Sequence, residues 1–163
     1  MSVAHILVGN DNPLNVEFND VVVNGTLTAP DFNPAPTVID VASTVSGPWA
    51  SPQSSFYHIS YSGTIGVTPL QVSIQFDTVD AIASSATYMT ISPNIPSQFL
   101  GGITNYASAI TCFDNGMYLT GACIYSLDNV GQQFVETPGA NNFSGVGTTG
   151  FDQFTISYIV PGP

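Results

Sequence analysis

Two side chains in this sequence, His5 and His58, carry an imidazole that could act as a general base near neutral pH. His58 lies in an alternating run beside Tyr57 and Ser60, so a serine–histidine–carboxylate arrangement can be imagined for it. A nucleophilic serine often sits on a Gly-x-Ser-x-Gly turn, and the sequence contains no such turn. We therefore predict that the protein is not an enzyme, that it has no catalytic residue and that His58 is a packed or surface strand residue.

The carboxylates favour turn chemistry over catalysis or metal binding. Glu17 and Glu136 are the only glutamates, and neither lies where a glycosidase pair would be expected. Asp114 and Asp128 are each followed by Asn at an expected hairpin tip, which makes them weak calcium candidates. Neither loop has the alternating ligand spacing of a calcium loop, and Asp is common in turns for its local hydrogen bonds. No other metal or cofactor is expected.

Cys112 and Cys123 are the only cysteines, and they lie eleven positions apart. The sequence has no Cys-x-x-Cys or His-x-x-x-His spacing, so a structural zinc site is not expected. The two cysteines either form a disulfide or remain as buried free thiols. Asn24 and Asn142 match the N-glycosylation pattern, which matters only if the chain enters a secretory pathway.

The chain contains no lysine and no arginine, and its eleven acidic residues give a formal net charge of −11. Without cations it cannot neutralise a phosphate backbone, which excludes nucleic-acid binding by counterion release. An anionic membrane surface would repel it, and no apolar run approaches the roughly 18 residues of a spanning helix. The N-terminus has no basic segment, so a Sec signal is not expected. Burial and hydrogen bonding must stabilise this fold.

The elements that would position these residues are strands. Charged residues are only 7 % of the 163, whereas hydrophobic residues reach 44 %, enough for a core. Glycine and proline are frequent and scattered, which favours many short strands. Residues 70–76 alternate apolar and polar side chains, residues 154–160 do the same, and hairpins are predicted at 108–119 and 121–137. We predict an all-β fold, an antiparallel β-sandwich of about eight strands that is jelly-roll-like.

The first part of the chain has a different residue pattern. Short β-forming runs separated by Asn-Gly and Asn-Asp fill residues 3–28, and a proline-dense segment with one predicted strand, 37–41, follows them. We divide the chain into an arm over residues 1–44 and a sandwich domain over residues 45–163. Because the runs of the arm are too short to form a core, we expect the arm to pair with another chain.

Four segments of the chain, residues 57–68, 87–99, 121–125 and 154–160, carry a resemblance to a known family. On these segments, residues 55–160 resemble the C-terminal β-sandwich modules of viral and phage fibre or surface proteins, although this chain lacks the arginine that such modules usually carry in the Gly-x-Ile-Tyr region. It implies a structural protein, a homotrimer or larger assembly, on a virion surface or otherwise extracellular. Other particle proteins or host-surface glycans are the further partners it implies.

The sequence thus favours a structural assembly protein, either of the virion surface or fibre type or the protomer of an extracellular filament. It would associate with itself through β pairing and apolar contacts. The alternative is a carbohydrate-binding, lectin-like module with an aromatic platform. Its candidate residues are Trp49, Phe56, Tyr57, Tyr61, Tyr106 and Tyr125.

Overall fold

The computed structural model describes residues 35–83, 88–119, 123–137 and 143–163. Twelve strands and one 3₁₀ turn, Ser97–Phe99, make up the regular structure of these residues. The strands are β1 (Thr37–Ser46), β2 (Gln53–Ser62), β3 (Leu70–Phe76), β4 (Val79–Ile82), β5 (Tyr88–Ser92), β6 (Asn105–Ile110), β7 (Cys112–Asp114), β8 (Met117–Tyr118), β9 (Cys123–Asp128), β10 (Gln133–Glu136), β11 (Thr148–Phe151) and β12 (Phe154–Val160).

The strands form two antiparallel sheets. The larger has eight strands in the order β12-β3-β2-β1-β5-β10-β9-β6, and the smaller has four in the order β4-β11-β7-β8. β1 pairs with β2 over nearly its whole length, from Thr37 to Val45, but it meets β5 only at residues 44–46. The pairing of β1 with β5 is therefore the shortest between neighbouring strands of the large sheet.

The two halves of the large sheet face each other across an aromatic core. The ring of Tyr125 in β9 lies 5.1 Å from Phe76 in β3 and 5.2 Å from Phe154 in β12. Tyr106 in β6 and Tyr158 in β12 are 5.8 Å apart, although their strands lie at opposite ends of the sheet. The fold is thus the antiparallel β-sandwich expected from the sequence, with twelve strands in the described residues where about eight were predicted. The jelly-roll connectivity remains a prediction.

The period-two alternation of the sequence sets which residues face this core. In β3, Leu70, Val72, Ile74 and Phe76 are buried, as predicted, while the polar residues between them face outward. In β12, Ile156 and Val160 are buried, and Phe154 and Tyr158 are partly buried and packed against the core. The prediction of which face of each strand lies against the core is therefore confirmed.

Both predicted hairpins are present. Asp114 pairs with Met117, which leaves Asn115 and Gly116 as a two-residue loop. Their φ angles are +51° and +72°, the left-handed values that a type I′ turn requires. In the second hairpin, β9 and β10 are joined by residues 129–132, which directly follow Asp128, and the register runs from Gln133–Leu127 to Glu136–Ile124.

The structure differs from the sequence-based expectation at two strands. The predicted strand over 108–113 breaks at Thr111, so that β6 belongs to the large sheet and β7 to the small one. The carbonyl of Thr111 accepts a hydrogen bond from Asp152 N–H at 3.1 Å, which pairs the backbone at the break. β1 runs to Ser46 and so crosses position 44, where we placed the end of the arm. The other strands predicted for the arm lie outside the described residues.

We expect the replacement Ile74→Ala to lower the free energy of unfolding by about 2–5 kcal/mol, because it removes buried apolar atoms and leaves a cavity. Gln75→Ala, on the exposed face of the same strand, is the matched control and should change stability by less than about 0.5 kcal/mol. Chemical denaturation measures both. Equal losses, or a larger loss for Gln75→Ala, would mean that the faces of β3 are assigned the wrong way round.

Candidate functional site

The most distinctive surface feature is the open edge of β12. Within the described residues, β12 pairs only with β3, in a register that runs from Phe154–Phe76 to Val160–Leu70. It is seven residues long, Phe-Thr-Ile-Ser-Tyr-Ile-Val, and contains neither a charge nor a proline. Its outward side chains include Ile159, which is 70 % exposed. Such an edge presents unpaired backbone donors and acceptors beside an apolar side chain.

The other sheet edges are less suited to strand addition. β8 has only two residues, and β4 has four and carries Asp80. β6 has six uncharged residues, but its outward positions, Asn105, Ala107 and Ala109, offer little apolar area. Because proteins protect sheet edges by shortness, charge or proline, β12 is the least protected edge among the described strands.

Tyr158 also belongs to β12. Its hydroxyl oxygen is buried and has no hydrogen-bond partner within the described residues. Burial is also the main cause that raises the pKa of this hydroxyl above its usual range, with neighbouring Tyr106 adding to the effect. A buried donor without a partner is uncommon in folded proteins, and the ring that carries this one packs 5.8 Å from the ring of Tyr106 in β6.

His58 is held between two carboxylates on the outer face of the large sheet. Asp40 is its direct cross-strand neighbour, and its Oδ1 lies 2.8 Å from His58 Nδ1. Asp77 follows β3, where its N–H donates to the Phe56 carbonyl at 3.1 Å, and its Oδ1 lies 3.4 Å from His58 Nε2. The hydrogen bond to Asp40, aided by the charge of Asp77, raises the pKa of His58. With a carboxylate at each ring nitrogen, the arrangement favours a charged imidazolium.

The two calcium candidates lie in different sheets and serve the loops around them. Asp114 accepts hydrogen bonds from Ser144 N–H at 2.7 Å, the Ser144 hydroxyl at 2.9 Å and the Thr149 hydroxyl at 2.8 Å. Asp128 accepts from the N–H groups of Val130 at 3.0 Å and Gln132 at 2.8 Å. Among the described residues, no three His, Cys, Asp or Glu side chains converge as a metal site would require.

Cys112 and Cys123 are free thiols, fully buried, and they hydrogen-bond to each other. Cys112 belongs to the small sheet and Cys123 to the large one, so this contact joins the two sheets. The hydrogen bond and burial together raise the pKa of the Cys112 thiol. A protonated, enclosed thiol is a poor nucleophile, so Cys112 serves packing in this state. Asn24 and Asn142 lie outside the described residues.

The predicted aromatic platform does not form as one surface. Trp49, Tyr57 and Tyr125 are buried, Tyr61 and Tyr106 pack against the core, and Phe56 alone is exposed, at 49 %. The indole N–H of Trp49 donates to the carbonyls of Ala81 at 3.2 Å and Thr149 at 3.1 Å, which ties it to the small sheet. Desolvation raises the pKa of the Tyr57 hydroxyl to about 12.

No protein-family model matches this sequence, and comparison with curated proteins also gives no match. In the described part of the chain, no helix has the length and apolar character needed to cross a bilayer. Function therefore has to be inferred from the geometry of the molecule itself.

We expect an NMR titration to give His58 a pKa above its ordinary value of about 6.5, and Asp40→Asn to lower it. Asp80→Asn, which removes an exposed carboxylate from β4, should leave it unchanged. Since the folded-state pKa is raised, His58 stabilises the fold fully only below about pH 6.5, and this contribution disappears as the pH rises through the folded-state value. A pKa that is the same in Asp40→Asn would contradict the assigned contact.

Proposed function

We propose that this chain is a structural assembly protein whose copies associate by adding a strand to the open edge of β12. The proposal places it with virion surface or fibre proteins or with extracellular filament protomers, the classes favoured by its sequence. It predicts an extracellular or particle-surface location and a homotrimer or larger assembly.

The observation that carries the proposal is the chemistry of the β12 edge. Seven uncharged residues without proline leave one row of backbone groups open, and β-augmentation gains affinity from such a row. Ile159, 70 % exposed on this strand, supplies apolar area next to it.

The composition of the chain supports a second copy as the occupant. The β12 edge carries no charged side chain, so no ion pair with a β12 side chain can recognise a partner there. Backbone pairing and apolar contact need no ion pair. The short β-forming runs in residues 3–28 make the arm a suitable strand donor. Since each copy carries −11, salt should screen the repulsion between copies and favour association.

We expect Ile159→Asp to weaken self-association at least about tenfold, because it places a charge beside the incoming strand and removes an apolar contact. Ile124→Asp is the matched control. Ile124 is also an outward-facing isoleucine of the large sheet, 46 % exposed, but it lies on β9, which is paired on both sides. Sedimentation velocity over a range of concentrations measures the assembly of both variants and the wild type.

The charge change is the same in both variants, so a general effect of charge would appear in both. Circular dichroism and thermal unfolding check that each variant is folded. A monomeric wild type, or equal weakening by Ile159→Asp and Ile124→Asp, would contradict assembly through β12.

A further inference from the structure

A small pocket opens where the end of β5 and the loop after it meet the beginning of β10. Its volume is about 280 Å³, and the residues that line it include Thr90, Ser92, Asn94, Gln132 and Phe134. Thr90 and Phe134 are direct cross-strand neighbours, so the polar and aromatic parts of the lining are fixed by the sheet register. In the strand order, β5 and β10 lie inside the large sheet, so the pocket is separate from the β12 edge.

We propose that this pocket binds a single sugar unit of a neutral glycan. Hydroxyl and amide side chains can donate and accept hydrogen bonds, which is what the hydroxyls of a sugar ring require. Phe134 adds an apolar surface against which the C–H groups of such a ring can pack. The volume of about 280 Å³ lies just below the roughly 300–1,000 Å³ that is usual for ligand pockets, which fits a ligand as small as one sugar ring.

The floor of the pocket is held in place by hydrogen bonds that are buried or partly buried. Gln133, only 1 % exposed, donates from Nε2 to the Pro93 carbonyl at 3.0 Å and accepts from the Tyr125 hydroxyl at 3.1 Å. The Tyr57 hydroxyl donates to the same Pro93 carbonyl at 3.3 Å. These bonds hold the 93–94 loop against β10, so the pocket is formed before a ligand arrives.

The wall is fixed in a similar way. Asn94 Nδ2 donates to the Val130 carbonyl at 3.2 Å, and Ile95 N–H donates to the Gly131 carbonyl at 2.9 Å. A Cβ at Gly131 would lie 2.3 Å from the Ile95 carbonyl, so only glycine allows the two loops to approach this closely. These contacts between residues distant in sequence therefore bring Asn94 and Gln132 together at the opening of the pocket.

Charge decides the class of sugar. None of the residues that line the pocket is charged. The chain as a whole has eleven carboxylates and no lysine or arginine to pair with an acidic sugar. The negative charge of the protein does not repel a neutral sugar, whereas it would repel a sialic acid or a sulfated sugar.

Saturation-transfer-difference NMR on the intact protein tests the proposal, because it reads the ligand and tolerates an assembled protein. The probes are D-glucose, D-galactose and N-acetyl-D-glucosamine, with N-acetylneuraminic acid as the acidic comparison. We expect at least one neutral sugar to give a saturable signal and the acidic sugar to give none.

Two variants locate the binding. Phe134→Ala should weaken it about tenfold, and Phe56→Ala, which removes another aromatic side chain from the outer face, should leave it unchanged. If Phe134→Ala does not fold, Gln132→Ala decides, since the Gln132 side chain is exposed. The proposal is overturned if no neutral sugar binds, if the acidic sugar binds equally well, or if binding survives in the folded pocket variant.

Discussion

A chain without lysine or arginine must hold its fold and its contacts together by apolar burial and hydrogen bonding. Within the described residues, the ion pairs of this structure all involve His58, and they lie on the outer face of the large sheet. The core is instead a packed group of aromatic and branched side chains, in which Tyr125 touches Phe76 and Phe154 from the opposite half of the sandwich. The same constraint leaves sheet edges without the lysines that usually protect them.

The carboxylates follow from this constraint too. With no cation to pair with, Asp114 and Asp128 accept hydrogen bonds from backbone N–H and hydroxyl groups, and they organise loops. Asp114 joins the β7–β8 hairpin to Ser144 and Thr149, about thirty residues later in the chain. Local turn chemistry, the reason such residues are common in loops, here becomes a long-range contact between segments of the small sheet.

Short-range patterns predicted much of the fold. The alternation of residues 70–76 fixed their buried face, and the Asn115-Gly116 pair marked a tight hairpin, because both signals depend only on neighbouring residues. Contacts between distant segments gave no such signal. The break at Thr111, the meeting of Tyr106 with Tyr158, and the joining of Asn94 and Gln132 in one pocket depend on how the large sheet folds over. The sequence thus predicted that residues 154–160 form a strand that packs on the core. It did not predict that this strand lies at the end of a sheet.

Hydrogen exchange measures the central claim most directly, because strand addition protects backbone amides that are otherwise open to water. The intact protein is compared at a dilution where it is monomeric and at a concentration where it is assembled, and exchange is followed segment by segment. The account predicts that residues 154–160 gain protection on assembly, while the paired interior strand β9 changes little. Assembly that leaves exchange in residues 154–160 unchanged would contradict it.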